Sequence, residues 1–527
     1  MDENVATILR VCERARAEGK DVTHEFIGNT VAKIKDIIGG AYTEEYWHQV
    51  AFQVKSTFDI DIIDRGTSLI DDDAKRWLDH HRADFDWGFW KAYANSLKED
   101  GRPSIVIKEL DRITDEILDA SGDPRIDEKG WKRRGLVMGN VQSGKTQNYL
   151  GLINKALDTG YKVVILLGGH LNELRVQTQE RVDYGVIGKK SVHHQGDEKV
   201  GVRIKRPSHL EVDTFTTTES DFNKRMSRSF RRTISENAVP LIFVIKKNAS
   251  VLNNLYDWIK EEHGLDPENK KLLNTPLMLI DDEADYASIN TKKTKNETTA
   301  INNGIRKLLS LFRKTNYVAY TATPFANIFI SPDTSDEVLG DDLFPEDYMV
   351  RIPIPDNYVG QQHFFLSDDD DSEHTINIDD HETMVPAKAK KDTPIHQLSD
   401  SLKEAIRVFV LSTAVRSSRG QSKSHSTMLV NVTHLTALQD KVDEFIGEYL
   451  DEIKNAIDLT AGFNVSKAIE RSLIISQLQG TFKRHYSNVS ESFDQLFNLL
   501  KPCVFKIQNL AVHSSSSNGK SLDYGAY

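Results

Sequence analysis

The sequence predicts an α/β protein: a parallel sheet covered by helices, preceded by a helical region and followed by a shorter α/β region. Three observations lead there. A glycine-punctuated loop at 139–146 separates a strand-like apolar run from a helical one, short aliphatic runs recur at helix-length intervals after it, and the chain before about residue 120 repeats apolar residues every three or four positions.

Before the loop, Asn4–Ala17, Thr30–Ile38, Asp72–His81 and Ile105–Ala120 carry helical periodicity, which suggests a helical N-terminal domain over 1–125. Trp77, Phe85, Trp87, Phe89, Trp90 and Tyr93 read as core packing in preference to base stacking, because aromatics near helical spacing fill cores. Ser121–Gly130, with Gly122, Asp123 and Pro124, has linker composition and marks a boundary. Strand Gly135–Met138, the loop, a helix over Thr146–Thr159 and strand Lys162–Leu167 then make a βαβ unit. Leu241–Ile245, Leu277–Ile280 and Tyr317–Ala319 add strands, and Val251–Glu262 a helix, completing one lobe over 126–332. Residues 333–400 read as an irregular acidic insertion, in which Asp368–Asp371 is a solvated run and not a metal site. In 401–527 a helix over Leu402–Val415, a strand over Thr427–Val432, a helix over Leu435–Tyr449 and a strand over Val504–Val512 outline a second lobe that looks incomplete.

At 527 residues the chain is long enough for several domains, and 39% hydrophobic with 28% charged residues is a globular composition. Charged residues interrupt the first turns, as they would not in a secretory leader, and no run approaches the ~20 apolar residues of a membrane span, so a cytoplasmic protein without a membrane partner is expected. Cys12 and Cys503 are too few and too far apart for a disulfide scaffold. The net charge of −12 argues against a protein that coats nucleic acid along its whole surface, while leaving room for a local basic channel.

Gly139-Asn140-Val141-Gln142-Ser143-Gly144-Lys145-Thr146 is a complete phosphate-binding loop. Its glycines let backbone N–H groups approach phosphate oxygens, and the helix that follows adds the partial positive charge of its N-terminus. Gly139, Gln142, Ser143, Gly144, Lys145 and Thr146 are therefore the candidate ATP contacts, with Lys145 on the β- and γ-phosphates and the Thr146 hydroxyl on Mg²⁺. Leu277–Ile280 runs into Asp281-Asp282-Glu283-Ala284-Asp285, where Asp282 is expected to hold Mg²⁺ and Glu283 to polarise the attacking water. Thr321 and Thr323, in Tyr320-Thr321-Ala322-Thr323-Pro324, are placed to couple the γ-phosphate state to motion.

In that order the three motifs resemble motifs I, II and III of superfamily 2 helicases and translocases. The wider text, from about Trp131 onward, resembles the Z1 family, often labelled endonucleases and associated with bacterial restriction and phage-defence operons. The stretches that carry this are Gly135–Thr146, Arg175–Arg181, Val244–Asn248 and Ile280–Ala287. The resemblance implies RecA-like lobes at 126–332 and, in part, at 401–527. It implies an ATPase with ATP and Mg²⁺, DNA as a partner, and companion defence subunits such as a nuclease, a methylase or a GHKL-type ATPase. It also places Arg175, Gln177, Thr178, Lys246 and Lys247 against a nucleic-acid backbone, where such side chains donate to phosphates without reading bases.

The late arginine-bearing motifs of complete helicases do not appear before Tyr527, so another subunit or a longer chain is expected to complete hydrolysis. Intrinsic cutting finds no support: Glu452-Ile453-Lys454 sits in a helical pattern, and His80-His81 and His193-His194 are adjacent pairs that point apart. The reading is an ATP-driven, helicase-like DNA translocase subunit. The alternative is a nucleotide-gated sensor or scaffold that recruits effectors without moving along DNA.

Overall fold

The structure is a computed structural model describing residues 3–512, except for all or part of 19–23, 39–61, 65–67, 72–75, 127–129, 192–197, 225–237, 287–298, 331–339, 356–374 and 423–424, and Gln142. The chain divides into two units, one formed by 1–19 with 56–366 and the other by 20–55 with 367–527.

The first unit is built on an eight-stranded sheet. In chain order its strands are β1 (Ser68–Ile70), β2 (Trp131–Met138), β3 (Val163–Leu167), β4 (Asp213–Thr214), β5 (Leu241–Ile245), β6 (Leu277–Asp282), β7 (Lys314–Thr321) and β8 (Tyr348–Arg351). Across the sheet they run β1-β8-β2-β7-β6-β3-β5-β4, with every neighbouring pair parallel except β1 with β8. The central strands are apolar throughout because both faces are covered. Val137, Val164, Leu166, Met278 and Ile280 join one buried cluster, and Leu136, Val163, Ile165, Leu277 and Leu279 join the other, as the alternation of a pleated strand requires.

Helices α1 (Gly88–Glu99), α2 (Ser104–Ala120) and α3 (Lys145–Thr159) cover the first face, and α5 (Ala249–Glu262) and α6 (Ala300–Ser310) the second; α4 (Asn172–Val182) follows β3. Trp77, Trp87, Phe89, Trp90 and Tyr93 are buried in the first cluster with Phe85 packed against it, so the aromatic group fills a core as its spacing implied.

Two expected boundaries move. The part of the helical region nearest Ser121 is not separate: α1 and α2 share the core of α3 and the sheet, because the apolar stripe of a helix needs a partner and the sheet face supplies it. The linker-like stretch after α2 stays inside this unit, where Trp131 Nε1 donates to Asp123 O at 2.9 Å. Likewise 333–400 is not wholly an insertion, since β8 lies in the main sheet beside β2.

The second unit is helical over most of the described residues from 400 to 504. Asp400–Ser418, Thr436–Thr460, Val465–Arg471, Leu473–His485 and Phe493–Val504 close on their own apolar cluster, which includes Val410, Leu438, Ile453, Leu478 and Leu500. Thr427–Val432, expected as a strand, has no ladder partner among the described residues. Its alternation is nonetheless used, with Met428, Val430 and Val432 packed on the helices and Leu429 88% exposed. Val504 ends the last helix, and no strand follows over 505–512. An incomplete sheet-bearing lobe is therefore corrected to a helical one in the described residues. The runs Asp368–Asp371 and His193-His194 lie outside those residues. No helix among them is long and apolar enough to cross a membrane.

Gly135 shows how tightly the sheet is covered: a Cβ built on it meets the Tyr348 ring at 1.9 Å. Gly135→Val is expected to force that ring off the sheet and to cost about 3 kcal/mol, read as a lower urea midpoint.

Candidate functional site

Register places the candidate site. Met138 is paired with Thr321, Asp282 with Tyr320, and Leu167 with both Asp281 and Ile245, so β2, β7, β6, β3 and β5 end level at one edge of the sheet. The segment after each strand emerges there, at the C-terminal edge where parallel sheets bind ligands.

The loop after β2 turns directly into α3. Gly139 N donates to Thr321 O at 3.0 Å, tying the loop's start to β7. Gly144 adopts φ +93° as the N-cap of α3, and no side chain caps that helix, which leaves its first N–H groups available to an anion. Gly139 has no room for a Cβ, which would meet Lys145 Cγ at 2.8 Å and Ser143 Oγ at 2.9 Å. Lys145 Nζ folds back over the loop, donating to Gly139 O at 3.0 Å and Asn140 O at 3.4 Å. Burial lowers its pKa, and Asp282, Asp285 and Glu283 act against that shift. Ser143 Oγ is buried without a hydrogen-bond partner. Gln142 lies outside the described residues.

The acidic box turns sharply out of β6. Glu283 has φ +54°, a left-handed conformation that costs a non-glycine residue energy unless neighbours hold it. Lys247, at the end of β5, is that neighbour. Its ammonium lies 2.8 Å from Asp281 Oδ1, with both side chains fully buried, and donates to Glu283 O at 2.6 Å and Tyr286 O at 3.3 Å. Tyr317 Oη donates to Asp281 Oδ2 at 2.7 Å. Asp281 is thus a structural base under the turn, while Asp282 is half-buried and Glu283 exposed. Burial, reinforced by Glu283, raises the Asp282 pKa to about 6 against the pull of Lys247 and Lys145.

The threonines close the arrangement. Thr321 Oγ1 and Thr323 Oγ1 donate to Asp285 Oδ1 and Oδ2, each at 2.7 Å, and Ala284 N donates to Tyr320 O at 3.0 Å. Loop, box and threonines are therefore one connected constellation. Arg181, in the last turn of α4, donates to Thr146 Oγ1 at 3.1 Å and so belongs to this site. In the sequence Arg181 only ends the stretch Arg175–Arg181 that carries the resemblance, and the path of α4 is what brings it to Thr146.

The backbone-contact set divides. Arg175 is fully buried and donates to Thr217 O at 2.8 Å and Thr218 O at 3.0 Å. Thr178 is buried with its hydroxyl on Leu174 O, and Lys247 holds the acidic box. These three side chains are buried and bonded within the protein, Arg175 through its two terminal nitrogens, so the structure does not present them to a partner. Gln177 is exposed and Lys246 half-buried, so both remain open to a partner.

No group of three or more His, Cys, Asp or Glu side chains among the described residues forms a self-contained metal site. The Thr146 hydroxyl and the Asp282 carboxylate are hard oxygen donors of the kind that suits Mg²⁺.

Fold and site together define an α/β protein whose mostly parallel sheet gathers a glycine loop, an acidic turn and a threonine pair at one edge. Residues 401–527 match the family model of the Z1 domain, which is the helical part of the span over which the motifs resemble that family. No curated protein and no solved structure matches the chain.

Removing the Lys247 ammonium strands Asp281. Lys247→Ala is expected to destabilise the first unit by about 3–5 kcal/mol in chemical denaturation, since it leaves a buried carboxylate unpaired. The double change Lys247→Met with Asp281→Leu recovers most of that loss.

Proposed function

We propose that this chain binds and hydrolyses ATP with Mg²⁺ at the loop over 139–146, in a RecA-like arrangement, and uses the turnover as a helicase-like DNA translocase subunit of a bacterial anti-phage or restriction system. The observation that carries the catalytic part is the hydrogen-bonded convergence of loop, acidic box and threonine pair at the ends of three adjacent strands.

Each residue then has a role. The uncapped start of α3 and the loop N–H groups hold the β-phosphate, and Lys145 leaves its carbonyl partners for the β- and γ-oxygens. Thr146 and Asp282 would hold Mg²⁺, which would supply charge neutralisation for the phosphates. Glu283 orients a water toward the γ-phosphorus and takes its proton as the new P–O bond forms and the bond to the β-phosphate oxygen breaks. Asp285 feels the change through Thr321, the last residue of the strand next to the loop, and Thr323 just beyond it, and the pair so carries the γ-phosphate state outward.

The DNA part rests on the Z1 resemblance and on the accessible Gln177 and Lys246, with donors that suit a phosphate backbone. A second reading, a nucleotide-gated sensor or scaffold that recruits nuclease or other defence partners, is favoured by the helices of 400–504, because among the described residues there they form no second sheet of the kind that closes over a nucleotide.

ATP turnover with and without single- and double-stranded DNA separates these readings. DNA-stimulated turnover and ATP-driven strand or triplex displacement support the motor, whereas nucleotide binding with no displacement supports the scaffold. Lys145→Ala is expected to abolish ATP binding; binding that survives this change refutes the site. Glu283→Gln should keep ATP binding and slow turnover by roughly 10²–10⁴-fold.

The pH response follows from Asp282. With its carboxyl pushed up to about 6, the anion that binds Mg²⁺ dominates above that pH and is lost below it. Mg²⁺-dependent tightening of nucleotide binding is therefore expected to fade between roughly pH 7 and pH 5, and Asp282→Asn to remove both the tightening and its pH dependence.

A further inference from the structure

Beside the loop lies a cleft that the phosphate chemistry does not use. It is lined by Val106, Leu110 and Ile113 of α2, by Ile352 and Pro353 beyond β8, and by Ser143, Gly144, Gln147 and Asn148 at the start of α3. Its wall is continuous with the phosphate loop, and most of its side chains are apolar.

The sheet order says which end of a nucleotide reaches it. The acidic box at the end of β6 lies on the β7 side of the loop strand β2, whereas β8, which leads into Ile352, lies on the opposite side. A triphosphate laid along the loop with its γ end at Asp282 and Glu283 must send its nucleoside end toward Ile352 and α2. The cleft is the apolar space in that direction.

We propose that this cleft takes the purine base of the nucleoside triphosphate and does not exclude guanine, so that GTP is a substrate alongside ATP. The inference rests on the phosphate-loop reading and extends it to the base.

The polar groups facing the cleft support a purine without an adenine preference. Glu109 is held by Arg112, whose Nε donates to it at 2.7 Å. Gln147, which lines the cleft, accepts from Arg102 Nε at 2.7 Å and Nη2 at 3.0 Å with its amide turned so that the oxygen faces Arg102, which leaves its NH₂ group as a donor. Asn148 is 1% exposed; its Oδ1 accepts from Tyr320 Oη at 2.8 Å, while its Nδ2 is buried with no hydrogen-bond partner. An orphaned buried donor is costly and calls for an acceptor. Adenine and guanine both present N7 as an acceptor, and guanine adds O6, whereas adenine's distinguishing amine is a donor. The cleft thus offers amide donors for N7 and O6, and the Glu109 carboxylate is an acceptor for an exocyclic amine, which adenine and guanine both carry, so the set gives no preference for adenine.

Calorimetric titration of the full chain with ATP, GTP and tripolyphosphate, the last having no base, tests this directly. ATP and GTP are expected to bind at least about tenfold more tightly than tripolyphosphate, with GTP no weaker than ATP. Val106→Trp, which fills the cleft from its half-buried rim, should remove that advantage and leave tripolyphosphate binding unchanged; the smaller Val106→Phe should do so in part, and retained tripolyphosphate binding shows that both variants fold. Equal binding of ATP and tripolyphosphate, a parallel loss of both in Val106→Phe, or exclusion of GTP would overturn the proposal while leaving the phosphate loop intact. Failure of all three ligands to bind the unaltered chain would remove the phosphate-loop reading itself.

Discussion

The site depends on the register of three parallel strands. Because Met138 faces Thr321 and Tyr320 faces Asp282, the glycine loop, the threonine pair and the acidic turn all leave the sheet at one level. A slip of one residue in either pairing would invert every side chain across the pleat, moving Tyr320 and Asp281 to the wrong faces and parting Asp285 from its threonines. Register is in turn held by the two apolar clusters, since each strand residue has its own buried side to occupy.

Two kinds of force meet at that edge. Below it the interior is dry and aliphatic, so the polar groups that remain must be paired, and Lys247, Asp281 and Tyr317 form such a set. Above it the same pairing holds Glu283 in a backbone conformation that its side chain disfavours. Strain at the turn and a buried ion pair beneath it are thus one arrangement, in which the core orients a carboxylate it does not touch. The raised Asp282 pKa has the same origin, because a carboxylate so near the dry layer is poorly solvated and stands beside a second acid.

The two units differ in how they bury apolar surface. The first does so by layering helices over a sheet, which creates an edge where loops converge. The second packs helices on helices, and even its strand-like Thr427–Val432 serves as a cover strip, with Met428, Val430 and Val432 turned inward. The stretch that matches the Z1 domain is this helical part, while the chemistry-bearing motifs belong to the other.

The sequence by itself determined the α/β class, the strands β2, β3, β5, β6 and β7, and the identity of loop, acidic box and threonines. These are signalled locally: glycines at turns, unbroken aliphatic runs in doubly covered strands, carboxylates at a strand end. The tertiary structure alone decided which faces met. The packing of α1 and α2 on the sheet, the entry of β8 beside β2, and the helical packing of the described residues from 400 to 504 depend on partners remote in the chain. Periodicity states that a face is apolar, not what covers it. For the same reason Arg175 and Lys247 read as surface cations in the sequence but are buried in the fold, and Arg181 turned out to reach Thr146. A charge announces its sign locally, whereas its partner and its solvent exposure are set by the rest of the molecule.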